Sequence, residues 1–454
     1  MTKVELIKKY TVAAPRYTSY PTVPYWDKEP FDSDKWKQAI QTSFIENNNG
    51  DGISIYMHLP YCESLCTYCG CNTRITRNHG IEDPYIKTVL KEWALYKQTF
   101  DSFPLIREIH LGGGTPTFFS HENLHRLIEG LLDGCNIHPQ AEFSFEAHPN
   151  NTTVQHLQTL YSLGFRRLSL GIQDFDPHVQ LIINRVQSFE QVKQVTGQAR
   201  EIGYTSINFD LIYGLPLQTP NCLVDTISKV GQLRPDRIAF YVYAHVPWIK
   251  PGQRRYTEAD LPDTLEKAAL YEFGREMFTR LGYLEIGMDH FALPTDSLYR
   301  ADIAGTLHRN FMGYTHQYTG LLIGLGVSAI SDAWGAYAQN AKTIDEYTRM
   351  INNDQLSVVK GHFLTDEDLV IRRLMLDIMC KGTIQIPRAQ LTKSNLGEAL
   401  VRLHDLAYDG LIFLENDLLS VTPLGKRFLR NICMALDARF WADKPNKQIF
   451  SMTG

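Results

Sequence analysis

A chain of 454 residues, 44% hydrophobic and 21% charged, can bury a large core and is expected to form one big domain with a smaller one beside it. A net charge of −5 gives no footprint for nucleic acid or an anionic membrane, and no apolar run approaches the ~20 residues that span a bilayer. Eight cysteines are too sparse for a disulfide framework, and Met1 to Lys9 lack the apolar stretch of a secretion signal, so a reducing, cytoplasmic setting is expected.

In chain order, residues 1–50 read as an arm. Pro15-Arg16-Tyr17-Thr18-Ser19-Tyr20-Pro21-Thr22 places prolines around an aromatic stretch that cannot continue a helix, which predicts extended chain across the surface. From 51 to 361 short apolar strands alternate with helical segments. Strands are predicted near 52–59, 107–112, 141–146, 166–173, 205–211 and 236–244, and helices near 83–100, 121–133, 153–163, 189–203 and 221–233, with Gly164 and Gly203 at helix ends. The order predicts an α/β fold with a parallel sheet. A partial (β/α)6 barrel suits it better than a doubly wound sheet, because the chemically suggestive residues all fall at C-terminal strand ends.

The first strand alternates Ile53, Ile55, Met57 and Leu59, ends at Pro60, and hands over to Cys62, Cys66 and Cys69 at C-x3-C-x2-C spacing. Three thiolates can hold three irons of a [4Fe–4S] cube and leave the fourth open to a small molecule. A zinc site or three buried thiols are the alternatives, but zinc knots pair C-x2-C units with a second pair or with histidines, and Cys135, Cys222, Cys380 and Cys433 stand isolated. Cys71, taken alone, suits a small buried hydrophobe better than a ligand. Further strand ends carry Gly112-Gly113-Gly114-Thr115, whose backbone can come close to a polar ligand, and Glu146, which can accept from a diol or ammonium group. The guanidinium of Arg185 can clamp a carboxylate.

Residues 245–361 hold a helix near 262–281 and a glycine-bearing run, Leu321 to Ile330, that suits a buried strand. Arg254, Arg255, Arg309, His290 and His308 are cations or imidazoles that face either carboxylates of a ligand or ordinary surface partners. Residues 362–454 are expected to form a second, mostly helical domain: a helix from Thr365 through Met379, further helical segments, a hairpin of 411–414 with 418–421, and a helix over 423–435. That order is winged-helix-like, but Lys426, Arg427 and Arg430 make no basic stripe for DNA, so a lid is the better expectation. No fixed-period repeat or low-complexity tract is present.

The cysteine spacing in its strand context resembles the radical S-adenosylmethionine enzymes. Gly70-Cys71 after the third cysteine and the arm's Pro-Arg-Tyr-Thr-Ser-Tyr-Pro run resemble, within them, the oxygen-independent coproporphyrinogen III oxidases (coproporphyrinogen dehydrogenases); the related haem chaperones usually carry Phe at the place of Cys71. The resemblance is nearly full-length and implies a three-quarter barrel. It implies a [4Fe–4S] cluster on Cys62, Cys66 and Cys69 whose open iron takes S-adenosylmethionine, together with a second molecule of that cofactor. Tyr56, Tyr68 (where Phe is more usual), Gly113, Gly114, Thr115, Glu146, Gln173 and Ile330 match cofactor-contacting positions, and Arg185, Asp210 and Ala244 match the second site. Arg16, Tyr17 and Tyr20 would contact substrate in an arm that covers the active site. The implied reaction is anaerobic: a 5′-deoxyadenosyl radical takes hydrogen from two propionates of coproporphyrinogen III, on rings A and B, which become the vinyls of protoporphyrinogen IX in haem biosynthesis. A low-potential electron donor of unknown identity and a monomeric state go with it. The sequence departs from the pattern at Ala147-His148, where Val-Asp is common, at Met312, where Gln is usual, and at Tyr318-Thr319-Gly320, where the family is more acidic; Met312 leaves substrate identity open. The alternatives are a haem-binding or haem-transfer protein without decarboxylase activity, and a radical enzyme that methylates or opens haem.

Overall fold

The computed structural model describes residues 1–27, 29–386 and 397–453. Alternation sets the first strand: Ile53, Ile55, Met57 and Leu59 are wholly buried against the helix layer, and Ser54, Tyr56 and His58 face the other way. This strand, β1 (Ile53–Leu59), is followed by β2 (Leu105–Gly113), β3 (Asn136–Ala147), β4 (Phe165–Gln173), β5 (Ser206–Tyr213) and β6 (Arg237–Val242). All pair parallel in chain order, with Tyr56 beside His110, His110 beside Ser144, Glu146 beside Ser169 and Gly171 beside Asp210.

The crossovers are the helices Glu82–Lys97, His121–Leu132, Val154–Ser162, Phe189–Ile202 and Pro220–Leu233. Ser120, Thr153, Ser188 and Thr219 accept backbone N–H bonds at four of their N-termini, and Gly203, at φ 113°, ends one of them. The architecture is the expected partial α/β barrel, displaced from the expected bounds by a few residues at strand ends.

The sheet itself is larger than six strands. At one edge β7 (Leu284–Ile286) and β8 (His290–Ala292) add antiparallel to β6; at the other β9 (Leu322–Leu325) adds parallel to β1, and β10 (Ile330–Asp332), β11 (Ala336–Asn340) and β12 (Val358–Phe363) continue antiparallel. The run from Leu321 to Ile330 is therefore two strands and not one. Gly326 and Ser328, both at positive φ, fold it back, and Gly324 lies so close to the returning chain that a Cβ there would sit 2.4 Å from the Ile330 carbonyl oxygen.

Charges fill the barrel at the N-terminal ends of the strands. Arg237 Nε donates to Asp296 Oδ1 at 2.6 Å, both side chains about 3% exposed or less, and Ser206 donates to the same carboxylate. Arg167 pairs with Glu142, and Glu108 accepts from Ser54 at 3.0 Å. Thr315 to Gln317 pack onto this layer. With that end filled, the space for a ligand is at the C-terminal ends.

The two chain ends fold together. Leu6, Ile7, Tyr17 and Tyr20 belong to one core with Ile371, Met375, Ile378, Leu403, Leu419 and Ile432. The arm differs from the extended surface strand expected of it: it begins with a helix, Lys3–Tyr10, ends with another, Ser33–Asn47, and buries Tyr17 and Tyr20 to 2% exposure. The reason is long-range, since Tyr17 donates to Asp437 Oδ2 at 3.0 Å. Helix Asp366–Lys381 and the strands Ile412–Glu415 and Leu418–Val421 match the expected segments, and a third short strand, Thr383–Gln385, pairs with the hairpin. No helix among the described residues is long and apolar enough to cross a membrane.

Candidate active site

The cysteine loop leaves β1 at Pro60 and is held by its backbone. Residues Tyr61–Cys62 form a two-residue parallel ladder with Arg74–Ile75, closing the loop on itself, and the Cys69 N–H donates to the Cys66 carbonyl at 3.1 Å. On either side of Cys66 the loop is stapled to the end of the short helix Pro177–Ile182: Thr67 N donates to Ile183 O at 2.9 Å, Thr67 Oγ1 to Ile182 O at 3.1 Å, and Asn184 Nδ2 to Leu65 O at 2.7 Å. The thiols are thereby left with neighbours of their own. Cys62 Sγ lies 3.3 Å from Thr115 Oγ1, Arg185 Nη1 donates to Cys66 Sγ at 3.6 Å, and Cys69 has the free Cys71 thiol as its neighbour.

The neighbouring Cys71 thiol favours a Cys69 thiolate and holds Cys69 below the usual thiol range, whereas burial pushes Cys62 up to about 11. Thiolate is the ligating form, so metal uptake here releases protons. Among the described residues no three His, Cys, Asp or Glu side chains converge on a single ion. An iron–sulfur cube asks for something different, one thiolate per iron, and three thiols with separate neighbours and a guanidinium alongside fit that donor set.

The glycine run after β2 packs against this loop. A Cβ on Gly113, at φ 110°, would lie 2.8 Å from the His58 ring, and one on Gly114 would lie 2.7 Å from the Pro60 carbonyl carbon and 2.8 Å from Tyr61 O. The N–H groups of Gly114 and Thr115 are already given to Leu59 O and Tyr61 O. What the run offers a ligand is therefore carbonyl oxygens and the Thr115 hydroxyl, while its glycines bring two strand ends into contact.

Across the mouth, Glu146 Oε1 is 3.5 Å from His110 Nε2, and His110 Nδ1 is 2.8 Å from Ser144 Oγ. Tyr56 stacks on His110 and its hydroxyl is 3.0 Å from His58 Nδ1, whose Nε2 faces Asn72 O at 2.8 Å. Burial lowers His58, keeping the ring neutral. Gln173 is in the left-handed region at φ 67° and is 8% exposed. Arg185 spends Nε and Nη2 on the Gly171 carbonyl at 3.1 and 2.5 Å, so a carboxylate would meet its remaining edge. Asp210 accepts from Ser169 at 3.0 Å and Asn208 at 2.8 Å, and burial, with Glu146 nearby, pushes it up to about 6. Ile330 opens β10, beside the end of β9.

Several residues here carry no local sequence signal. Gln253, 1% exposed, donates to Tyr68 O at 3.2 Å and Ala244 O at 3.1 Å and accepts from Val246 N at 2.6 Å, so one amide ties the cysteine loop to the segment after β6. His58 and His110 were legible only as inward positions of their strands. Arg254 and Arg255, flanking Gln253, are exposed and lie outside this cluster. His290 and His308 are turned inward, and burial lowers each to about 4. Cys71 is exposed, and Met312 donates its N–H to Asn310 Oδ1 at 2.9 Å.

Residues 56–230 match the family model described as the Radical SAM superfamily, a span that runs from Tyr56 in β1 into the helix before β6. Along 98% of its length this chain is 37% identical to an oxygen-independent coproporphyrinogen III oxidase of Synechocystis sp., covering 97% of that protein, and it is 37% identical to the Escherichia coli one over the same shares. The chain belongs to the oxygen-independent coproporphyrinogen III oxidases. A solved structure of the coproporphyrinogen III oxidase from Escherichia coli, titled a radical SAM enzyme, superposes with a TM-score of 0.88, covering 96% of this chain and 98% of that one. As a member of this oxidase family the protein uses a [4Fe–4S] cluster and S-adenosylmethionine, and the thiol loop is the place in the fold whose chemistry suits the cluster.

Proposed function

We propose that this chain converts coproporphyrinogen III to protoporphyrinogen IX, with Cys62, Cys66 and Cys69 as cluster ligands. The observation that carries the reading is three thiols grouped at the mouth of a radical SAM barrel, each beside a polar neighbour that leaves its sulfur unspent. When bound, the cluster and S-adenosylmethionine would supply a carbon-centred radical that takes one hydrogen atom from the β-carbon of a propionate; loss of CO2, with the remaining electron passed to an electron acceptor, would leave a vinyl group.

The chain's own residues hold and orient. Thr115 and Arg185 place hydrogen-bond donors at two of the sulfurs, which stabilises their anionic form. Tyr56, Tyr68, Gly113, Gly114, Glu146, Gln173 and Ile330 line the room for the first cofactor molecule, and Arg185, Asp210 and Ala244 that for a second. Residues 1–50 and 362–454 act as cover over the barrel of 51–361, which excludes water from a radical centre. A monomer, a small low-potential electron donor and the cytoplasm complete the reading; the eight free cysteines support that compartment.

The test is anaerobic. Protein with reconstituted cluster, reductant, S-adenosylmethionine and coproporphyrinogen III is expected to give stepwise loss of two CO2 with 5′-deoxyadenosine alongside. Intact cluster that forms 5′-deoxyadenosine without decarboxylation would move the reading to another substrate.

A further inference from the structure

We infer that Arg16 and Arg309 form a carboxylate clamp for propionate side chains of the porphyrinogen, an inference that rests on the oxidase reading. Arg309 lies on the short strand His308–Asn310 and is 8% exposed. Its Nε has no hydrogen-bond partner, and its guanidinium forms no ion pair with any described carboxylate; it rests over the Tyr314 ring at 4.6 Å. A buried cation without an anion is one of the least favourable arrangements a fold can hold. Arg16 reaches in from the arm, donates Nη2 to Val242 O at 3.1 Å, and is likewise without a carboxylate partner among the described residues.

Contacts link the two guanidiniums: the Tyr314 ring under Arg309 packs edge-on against His290 at 5.2 Å, and Arg16 binds the carbonyl of Val242, the residue after Tyr241. Both also act electrostatically on Tyr241 and on Asp289 before β8. Tyr241 is also 3.3 Å from His290 Nε2 through its hydroxyl. Asp289 is the carboxylate whose charge both arginines feel, yet it makes no ion pair with either, and its burial favours the neutral acid.

The neighbouring cations are spent. Arg430 donates to the carbonyls of Ala14, Pro15, Ser451 and Met452, and Arg372 pairs with Asp332 at 2.6 Å. Arg16 and Arg309 are the two arginines here with donors to spare, and Tyr314, His290 and Tyr241 lie in the contacts between them. Planar guanidiniums suit a carboxylate bidentately. The ligand they fit is a carboxylate on a short flexible arm, and its neutral amide has nothing for them.

The test is binding of coproporphyrin III to cluster-loaded full-length protein, followed by porphyrin fluorescence, beside the tetra-amide of the same macrocycle. Arg309→Leu and Arg16→Leu are each expected to weaken the tetracarboxylate about 10- to 100-fold, to leave the tetra-amide unchanged, and to be rescued in part by the Lys variants. Unchanged tetracarboxylate affinity in both Leu variants, or parallel loss of acid and amide, overturns the clamp. Arginine-dependent acid binding by a wild-type protein that leaves coproporphyrinogen III intact keeps the clamp and removes the oxidase reading. Turnover by wild type together with arginine-independent binding does the reverse.

Discussion

Gln253→Leu tests how the cysteine loop is held. The substitution keeps the volume and removes three hydrogen bonds, to Tyr68 O, Ala244 O and Val246 N. At about 1 kcal/mol net for each, the loss is about 3 kcal/mol, or roughly 100-fold in an equilibrium between a docked and an undocked loop. The three partners are backbone groups, which cannot turn away to other donors, and the amide they surround is 1% exposed. The opening is local, because none of these bonds lies within a barrel strand, and the global melting temperature should move little.

Hydrogen exchange reads this directly. The Val246 N–H, bonded at 2.6 Å, should exchange about 100-fold faster in the variant, the Cys66 to Cys71 segment should lose protection with it, and iron should pass to a chelator faster. Protection at Val246 within threefold of wild type, or a change confined to Val246 with the cysteine segment untouched, would refute the view that Gln253 ties the two segments together.

Three further outcomes are expected. Gly114→Ala puts a methyl group 2.7 Å from the Pro60 backbone, so the purified protein should fold, by circular dichroism, yet retain well under half of its iron. Glu92 is wholly buried, accepts from Gly326 N, Asn340 and Tyr347, and is pushed by burial up to about 7. A raised acid contributes stability below the unfolded value and loses it as pH climbs to the folded one, so wild type should lose up to about 3 kcal/mol relative to Glu92→Gln between pH 4.5 and 7 in denaturant titrations; parallel curves contradict this. Arg430→Met strands four backbone carbonyls that join the arm to the C-terminal tail, and limited proteolysis should then cut within residues 11–22 at least tenfold faster than in wild type.

What could be read from the chain follows the range of the interactions. The strand Ile53–Leu59 announces itself because its burial alternates with period two, and the three cysteines do so because a metal loop fixes their spacing. Gln253 carries no sequence signal beside Arg254 and Arg255, since the partners that give it a role are backbone atoms of residues 68, 244 and 246. Tyr17 looked like surface for the same reason: its acceptor, Asp437, is 420 residues away. The break at Gly326 and Ser328 sits in a run, Leu321 to Ile330, that is apolar but for its glycines and Ser328 itself, which suits one long strand as well as two short ones.

One feature of the site is explained by where its hydrogen bonds go. The cysteine loop takes its shape from main-chain bonds, through Thr76 N to Cys62 O, Arg74 N to Pro60 O, Thr67 N to Ile183 O and Cys69 N to Cys66 O, and from two amides, Asn184 and Gln253, that bind carbonyls. A loop folded by its thiols would lose its form when they were given to metal. Here the main chain and the two amides carry the shape of the loop and leave the sulfurs only side contacts to Thr115 and Arg185, and the glycines of 113 and 114 admit that loop against the end of β2. The same logic makes both chain ends necessary: Ala13 bridges to Met452, Arg430 binds carbonyls from each end, and only with both present does Arg16 stand beside Val242 at the mouth.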